Sequence, residues 1–335
     1  MRIAIIEGKR PTLMPEGPKI EREVLGPGAE IVCHGEVRPE DYSAVLGELD
    51  AVITRPGMPF SKEMISALKK AKVIVSLGVG YEHIDIDAAN KKGIPVCNVP
   101  NYGTEEVADT TVAMILAHQR KINLFNFQSA RSDNIGWDWR IHRPILRMGK
   151  VQVGIIGLGR IGTAVAMRLK AFGCAISFYD PYLACGFEKS LALGRFDSME
   201  PIVSESDIVS IHTPLTQETS GMVDDGFFAL MKASGILINT ARGGIFKSAD
   251  VVYHALKSRP QIRIGTDVWP EEPPKDHPLL KAWSGRAAWL ADRLIICPHS
   301  AFYSESATQE IRAFAAEVVK TVLDGKKPYN VINGD

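Results

Sequence analysis

Short apolar runs separated by segments of helical period recur along the whole chain. In the first hundred residues, 2–6 (RIAII), 51–54 (AVIT), 72–77 (KVIVSL) and 94–99 (IPVCNV) read as buried strands. Between them, 61–71 places Met64, Ile65 and Leu68 at helical spacing, and Gly93 stands where a helix begun near Asp85 would stop. A long helix is predicted from Thr104, which can cap it, with Glu105 and Glu106 suited to its positive end and apolar residues running on to Leu116. Residues 121–150 show no clear period and are expected to be an ordered connection across a domain boundary. A second series then begins, with strands expected at 151–157, 175–180, 207–212, 235–240, 262–268 and 293–298. Six strands alternating with helices is the count for a dinucleotide-binding domain of the Rossmann type. The segment 304–323 is an amphipathic helix with Ala307, Ile311, Phe314, Ala315, Val318 and Val322 on one face and Gly325 at its stop. The fold class is therefore α/β, with parallel sheets.

Length supports two domains, since 335 residues exceed what one core ordinarily holds. Thirty-nine basic side chains balance 39 acidic ones, which argues against nucleic acid or an anionic membrane as partner. No apolar run approaches the roughly 18 residues of a membrane helix, and the apolar start is too short for a signal peptide. The five cysteines are scattered and form no CxxC pair, so no zinc site and no disulfide framework is expected, and a reducing, cytoplasmic compartment fits.

The first chemical signal is VGIIGLGRIG, which supplies Gly157, Gly159 and Gly162 as GxGxxG between an apolar strand and a helix. Gly157 makes the tight turn, Gly159 lets a pyrophosphate approach the backbone, and amides around Arg160 and Ile161 receive its charge. Asp180 ends the next strand, 23 residues after Gly157, where an acid binds the ribose hydroxyls of NAD. Against the 2′-phosphate of NADP it would be repulsive: two charges about 4 Å apart cost up to roughly 4 kcal/mol at an effective dielectric near ~20. The expected cofactor is NAD.

Three more segments leave strands at the carboxyl edge of this domain. They present Arg242, then Asp267 with Glu271 and Glu272, then His299. Singly, each has a bland reading as an ion-pair arginine, a solvated proline-flanked loop and a structural histidine. Together they supply an anion clamp, a carboxylate and a proton donor around one cleft. Arginine's planar fork matches a carboxylate. Histidine can protonate a keto oxygen as hydride arrives, and a neighbouring carboxylate orients the imidazole and favours its protonated form. That set suits reduction of a 2-keto acid. Spacing alone does not choose between Glu271 and Glu272.

With these residues in view, the chain resembles the D-isomer-specific 2-hydroxyacid dehydrogenases over nearly its whole length. The resemblance rests on SLGVGYEHIDIDAA, CNVPNYGTEEVADTTVAMIL, GIIGLGRIG, NTARGG, TDVWPEEPP and CPHSAFYSE, in family order. Within the family it is most similar to the branch of the C-terminal binding proteins. The resemblance implies Arg242 as substrate clamp, His299 as general acid/base and Glu272, not Glu271, as the glutamate that orients it. It implies Asp267 as acceptor for the nicotinamide amide, and Val79 and Gly80 as backbone donors to the substrate carboxylate. Thr104, His212, Thr213, Pro214, Thr219, Thr240, Ala241, Arg242, His299 and Ala301 follow as further cofactor contacts, with Phe302 facing the substrate. It also implies a homodimer and a discontinuous, flavodoxin-like substrate domain from 1–102 and 300–335 around a nucleotide domain at 103–299.

Two departures limit the carry-over: Asp109 stands where many members have Glu, and Phe302 where the C-terminal binding proteins have tryptophan. The latter leaves the substrate open, with Tyr81 and Tyr102 as further candidates to line its pocket. Arg55 reads either as a second anchor or as a solvated loop residue. A chain ending at Asp335 is expected to carry no appended regulatory domain. The main expectation is an NAD-dependent oxidoreductase interconverting a 2-keto acid and a D-2-hydroxy acid. The alternative is an NAD(H)-sensing scaffold that recruits peptide partners; the lack of a long polar tail favours the enzyme.

Overall fold

The computed structural model describes residues 1–8, 12–130, 136–142, 144–290, 292–328 and 330–334. Parts of the expected connection, 131–135 and 143, lie outside the described residues, as does Asp335. The chain divides into two compact units, Met1–Tyr102 with Tyr303–Asp335, and Gly103–Phe302.

The first unit is built on strands β1 (Arg2–Ile6), β2 (Glu30–His34), β3 (Ala51–Thr54), β4 (Ile74–Ser76) and β5 (Val96–Cys97), in the order β2-β1-β3-β4-β5. All pairs are parallel. Alternate residues face opposite sides. Ala4, Ile6, Val52, Ile74 and Val96 pack with Met64, Ile65 and Leu68 on one face. Ile3, Ile5, Ile53 and Val75 pack on the other with Leu25, Ile311, Ala315 and Val319. The helix Glu305–Leu323 thus returns the chain's last segment to this sheet, capped by Ser304 through the Ala307 amide. Arg312, at 8% exposure, makes a two-pronged bond to Glu21, with Nε and Nη2 each 2.8 Å from a carboxylate oxygen.

The second unit holds β6 (Gln152–Ile156), β7 (Ala175–Tyr179), β8 (Gly194–Arg195), β9 (Ile208–Ile211), β10 (Ile236–Asn239), β11 (Arg263–Thr266) and β12 (Leu294–Ile296). Their order is β12-β11-β10-β9-β6-β7-β8, again parallel throughout. From β6 the chain builds outward one way through β7 and β8, then returns to start the other half at β9. This reversal between β6 and β9 leaves a crevice outside their carboxyl ends, where open α/β sheets bind ligands. Ile155, Phe178 and Ile238 pack with Ala108, Ile115, Val165 and Leu169 on one face. Val209, Ile211, Leu237 and Ile264 pack with Phe227, Phe228, Val252 and Leu256 on the other.

Several local expectations are corrected. Thr104 opens the helix Thr104–Gln119 but does not cap it; Gly103 occupies the cap position, with no side-chain cap bond. A Cβ at Gly103 would lie 3.2 Å from that of Phe302, so close packing selects glycine there. The described residues of 121–150 fall within the second unit and include the helix Ile122–Ser129. The helix expected over 61–71 spans Lys62–Ala67, because Leu68 turns to extended backbone. Strands β2 and β8 were not anticipated.

Candidate active site

Strand β6 ends at Ile156 and Gly157 adopts a left-handed φ of 88°. A Cβ at Gly157 would sit 2.9 Å from the His212 carbonyl carbon, and one at Gly162 only 2.2 Å from the Gly157 oxygen. These two glycines are required by the protein's own packing. Gly159 differs: a Cβ there meets nothing within 4 Å. It caps the helix Arg160–Lys170, whose first turn receives no side-chain cap bond. Open space above a glycine and a helix start without a side-chain acceptor fit a pyrophosphate.

Asp180 is bound into this loop. One carboxylate oxygen accepts the Leu158 amide at 2.9 Å and the other the Tyr182 amide at 3.0 Å. Each oxygen keeps a further lone pair for a ribose hydroxyl. After β9, the Ser210 hydroxyl lies 2.9 Å from His212 Nε2, and burial lowers the His212 pKa to about 3, so its ring is neutral. Thr213 follows it, with its methyl 2.9 Å from where a Gly157 Cβ would sit. The Thr219 hydroxyl donates to the Pro214 carbonyl at 2.6 Å and so closes the turn that follows.

After β10, Asn239 shapes the loop that carries Arg242. Its amide nitrogen donates to the Arg242 carbonyl and its oxygen accepts the Ala241 amide, both at 3.0 Å. Arg242 Nη1 donates to the Ala241 carbonyl at 2.8 Å. Buried Thr240 lies 2.8 Å, hydroxyl to hydroxyl, from Thr111 of the long helix. A Cβ on Gly243 would fall 1.8 Å from the Trp269 carbonyl oxygen, so the Arg242 loop is seated directly on the loop that follows β11. The sequence reading missed Asn239 and Thr111. The signal for Asn239 was present, because an asparagine at a strand end bonds its own backbone two residues on.

Asp267, 2% exposed, organises the histidine loop. Its main-chain carbonyl accepts the His299 amide at 2.8 Å. Its carboxylate oxygens accept Ser300 N at 2.8 Å and Ala301 N at 2.9 Å. Burial raises the Asp267 pKa, and the two amides oppose that shift. His299 sits in the left-handed region at φ 54°, with Nδ1 2.6 Å from Glu272 Oε2. The other Glu272 oxygen accepts the Trp269 amide at 3.0 Å. Glu271 instead pairs with Lys275 at the surface. A carboxylate only accepts, so Nδ1 carries the proton in this pair and Nε2 takes no part in it. Phe302 meets the His299 ring edge-on, centroids 6.4 Å apart.

Val79 and Gly80 lie in the first unit, on the loop after β4. Asn98 donates to the Val79 carbonyl at 2.8 Å and Ser76 to the Gly80 carbonyl at 2.6 Å. In a trans peptide the N–H points opposite the carbonyl, so the Gly80 amide faces away from Asn98. Arg55 lies 4.0 Å from Glu7 in the same unit. Among the described residues no cluster of His, Cys, Asp and Glu could hold a metal, and no helix is long and apolar enough to cross a membrane.

This geometry has relatives. The sequence profile described as D-isomer specific 2-hydroxyacid dehydrogenase, NAD binding domain, matches residues 112–301. A D-3-phosphoglycerate dehydrogenase of Methanocaldococcus jannaschii is 35% identical over 93% of this chain, which spans only 57% of that relative's length. A glyoxylate reductase of Korarchaeum cryptofilum is 33% identical, over 85% of this chain and 83% of its own. The solved structure of a D-lactate dehydrogenase from Aquifex aeolicus, complexed with NAD and lactic acid, superposes with a TM-score of 0.81 at 27% identity, covering 99% of both chains.

Proposed function

The chain belongs to the D-isomer-specific 2-hydroxyacid dehydrogenases, and from that premise we propose that it interconverts a 2-keto acid and a D-2-hydroxy acid with NAD as cofactor. The observation that carries the reading is the Glu272–His299 pair, held at the carboxyl edge of the sheet whose glycine loop fits a dinucleotide.

Gly159, Arg160 and Ile161 would hold the pyrophosphate, Asp180 the ribose, and His212, Thr213, Pro214, Thr219, Thr240, Ala241 and Ala301 the rest of the cofactor, with Thr104 at the helix start. The Asp180 carboxylate supports NAD over NADP, a preference that comparable kcat/KM values for the two would overturn. When bound, the nicotinamide supplies the hydride. Arg242 binds the substrate carboxylate through its planar fork. His299 gives the proton on Nε2 to the keto oxygen and recovers one in the reverse direction. Glu272 holds the ring and stabilises the imidazolium that the cycle requires. Asp267 keeps residues 299–301 in place, and the second lone pair on each of its oxygens suits it to receive the nicotinamide amide.

The first unit is read as the substrate domain, with Val79 and Gly80 as backbone donors and Phe302, from the second unit, facing the substrate side chain. Phe127 (59%), Trp137 (76%) and Trp139 (63%) are exposed on two segments tied together by Gln128 Nε2, which donates to the Gly136 and Asp138 carbonyls, and an exposed aromatic surface of this kind supports a homodimer. The direct test is NADH oxidation with glyoxylate, hydroxypyruvate, pyruvate and phenylpyruvate. Turnover with at least one is expected. Tight NADH binding without turnover of any would favour an NAD(H)-sensing scaffold instead.

A further inference from the structure

The geometry points to a strap, the hydrogen bond from the Tyr182 hydroxyl to the Glu218 carboxylate, that spans the adenosine side of the nucleotide crevice and sets how long the dinucleotide stays bound. The inference rests on the proposed NAD-dependent function and adds two residues to it.

Topology gives the contact its meaning. In the sheet order β9-β6-β7, the strand carrying the glycine loop lies between the other two. Neighbouring strands are about 4.8 Å apart, so the loops after β7 and β9 begin about 10 Å from each other. Tyr182 belongs to the first loop and Glu218 to the second, 36 residues apart in the chain. Their bond therefore crosses the carboxyl end of β6. The glycine loop there suits the pyrophosphate and Asp180 the ribose, so the adenine of a bound dinucleotide would lie beyond the ribose, toward these two loops.

Both ends of the strap are anchored. Tyr182 is tied at its base, where its amide donates to Asp180 at 3.0 Å, and the same carboxylate accepts Leu158 N of the glycine loop. Glu218 sits in a turn closed by the Thr219 hydroxyl, which donates to the Pro214 carbonyl at 2.6 Å and accepts the Thr216 amide at 2.8 Å. Glycine loop, ribose carboxylate and the β9 turn thus form one frame closed by the Tyr182–Glu218 bond. Tyr182 is 78% exposed, so the contact contributes nothing to the core and can open without unfolding. A bond with no packing role, joining two stiff turns across a ligand crevice, fits a gate.

The test is the NADH dissociation rate, followed by stopped-flow fluorescence on the full chain. Tyr182→Phe and Glu218→Ala should each raise it about three- to tenfold, the scale of one exposed hydrogen bond. The double variant should be no faster than either single, and Glu218→Gln, which keeps an acceptor oxygen, should stay near wild type. Reduced nicotinamide mononucleotide has no adenosine, so the increase should be confined to NADH. Unchanged dissociation, additive singles, or equal increases with both nucleotides would overturn the strap while leaving the dehydrogenase reading intact. Wild-type protein that fails to bind NADH would overturn both.

Discussion

His299 holds its imidazole Nδ1 2.6 Å from Glu272 while its own backbone is left-handed, at φ 54°. The side chain is aimed by the Glu272 carboxylate, while the Asp267 carboxylate holds the chain just beyond it through the Ser300 and Ala301 amides, so two acids do separate work on one loop.

The left-handed backbone dictates how the proton-transfer role should be tested. Asparagine tolerates this region well, whereas a β-branched residue does not. His299→Asn should lower kcat by roughly 10²- to 10⁴-fold with NADH affinity and Tm nearly unchanged. His299→Val would add backbone strain to the chemical loss. Near-normal turnover in the asparagine variant would remove His299 from the acid/base role.

The glutamates beside it should separate cleanly. Glu272→Gln replaces the partner of Nδ1 and leaves no charge to stabilise the imidazolium, so kcat should fall on the order of 10²-fold. Glu271 pairs with Lys275 in solvent, and such pairs are worth little. Glu271→Gln should therefore turn over like wild type. Equal losses in the two variants, compared by steady-state kinetics, would contradict the geometry.

The glycine loop allows binding to be separated from folding. Gly162→Ala places a methyl 2.2 Å from a carbonyl oxygen, which requires the loop to shift. It should lower Tm as well as NADH affinity. Gly159→Ala meets no protein atom within 4 Å and should keep its Tm, losing affinity only because the methyl enters the pyrophosphate's space. Thermal melts with and without NADH distinguish the two.

How legible this was from sequence depended on distance along the chain. The glycine loop and Asp180 were readable because strand, turn, helix and acid follow one another within a few dozen residues and each step has a local reason. The helix from Asp85 to Gly93 was readable for the same cause: an aspartate cap on the Ala88 amide and a left-handed glycine at the stop. Helix Ile122–Ser129 was hidden because it has no side-chain cap and leaves Ile122 and Phe127 exposed, which erases the amphipathic period. Strand β2 was hidden because an edge strand mixing Glu30 and His34 with Ile31 and Val32 lacks a continuous apolar run. The bond between Glu272 and His299 joins residues 27 apart through two loops, and no periodicity encodes it.

The buried pair Glu21–Arg312 makes a prediction about the first unit alone. Arg312→Met leaves the Glu21 carboxylate buried at 2% exposure without its guanidinium. Breaking such a pair from one side costs about 3–5 kcal/mol, whereas replacing both partners by apolar groups is often near neutral. Arg312→Met should therefore be much less stable to urea than the Glu21→Leu/Arg312→Met double variant. If the double is as unstable as the single, the pair holds helix Lys19–Leu25 to helix Glu305–Leu323 by more than charge compensation.

The last prediction concerns pH. His118 is fully buried in the helix Thr104–Gln119, its ring packed over Gly265, where a Cβ would come within 3.3 Å of Nε2. Burial, with the Arg263 guanidinium adding to it, lowers its pKa from 6.5 to about 3. The folded state therefore keeps this ring neutral while the unfolded chain takes up a proton below about pH 6.5. With one more proton bound in the unfolded state, stability must fall as pH falls, by about 1.4 kcal/mol per pH unit within that window. Above pH 6.5 the term is fully present and constant. His118→Leu keeps an apolar body but cannot titrate, so its unfolding free energy should decline less steeply between pH 6 and pH 4 than that of wild type. Denaturant titrations at stepped pH measure the two slopes. Parallel lines would mean that His118 is reached by protons without unfolding of the helix that buries it.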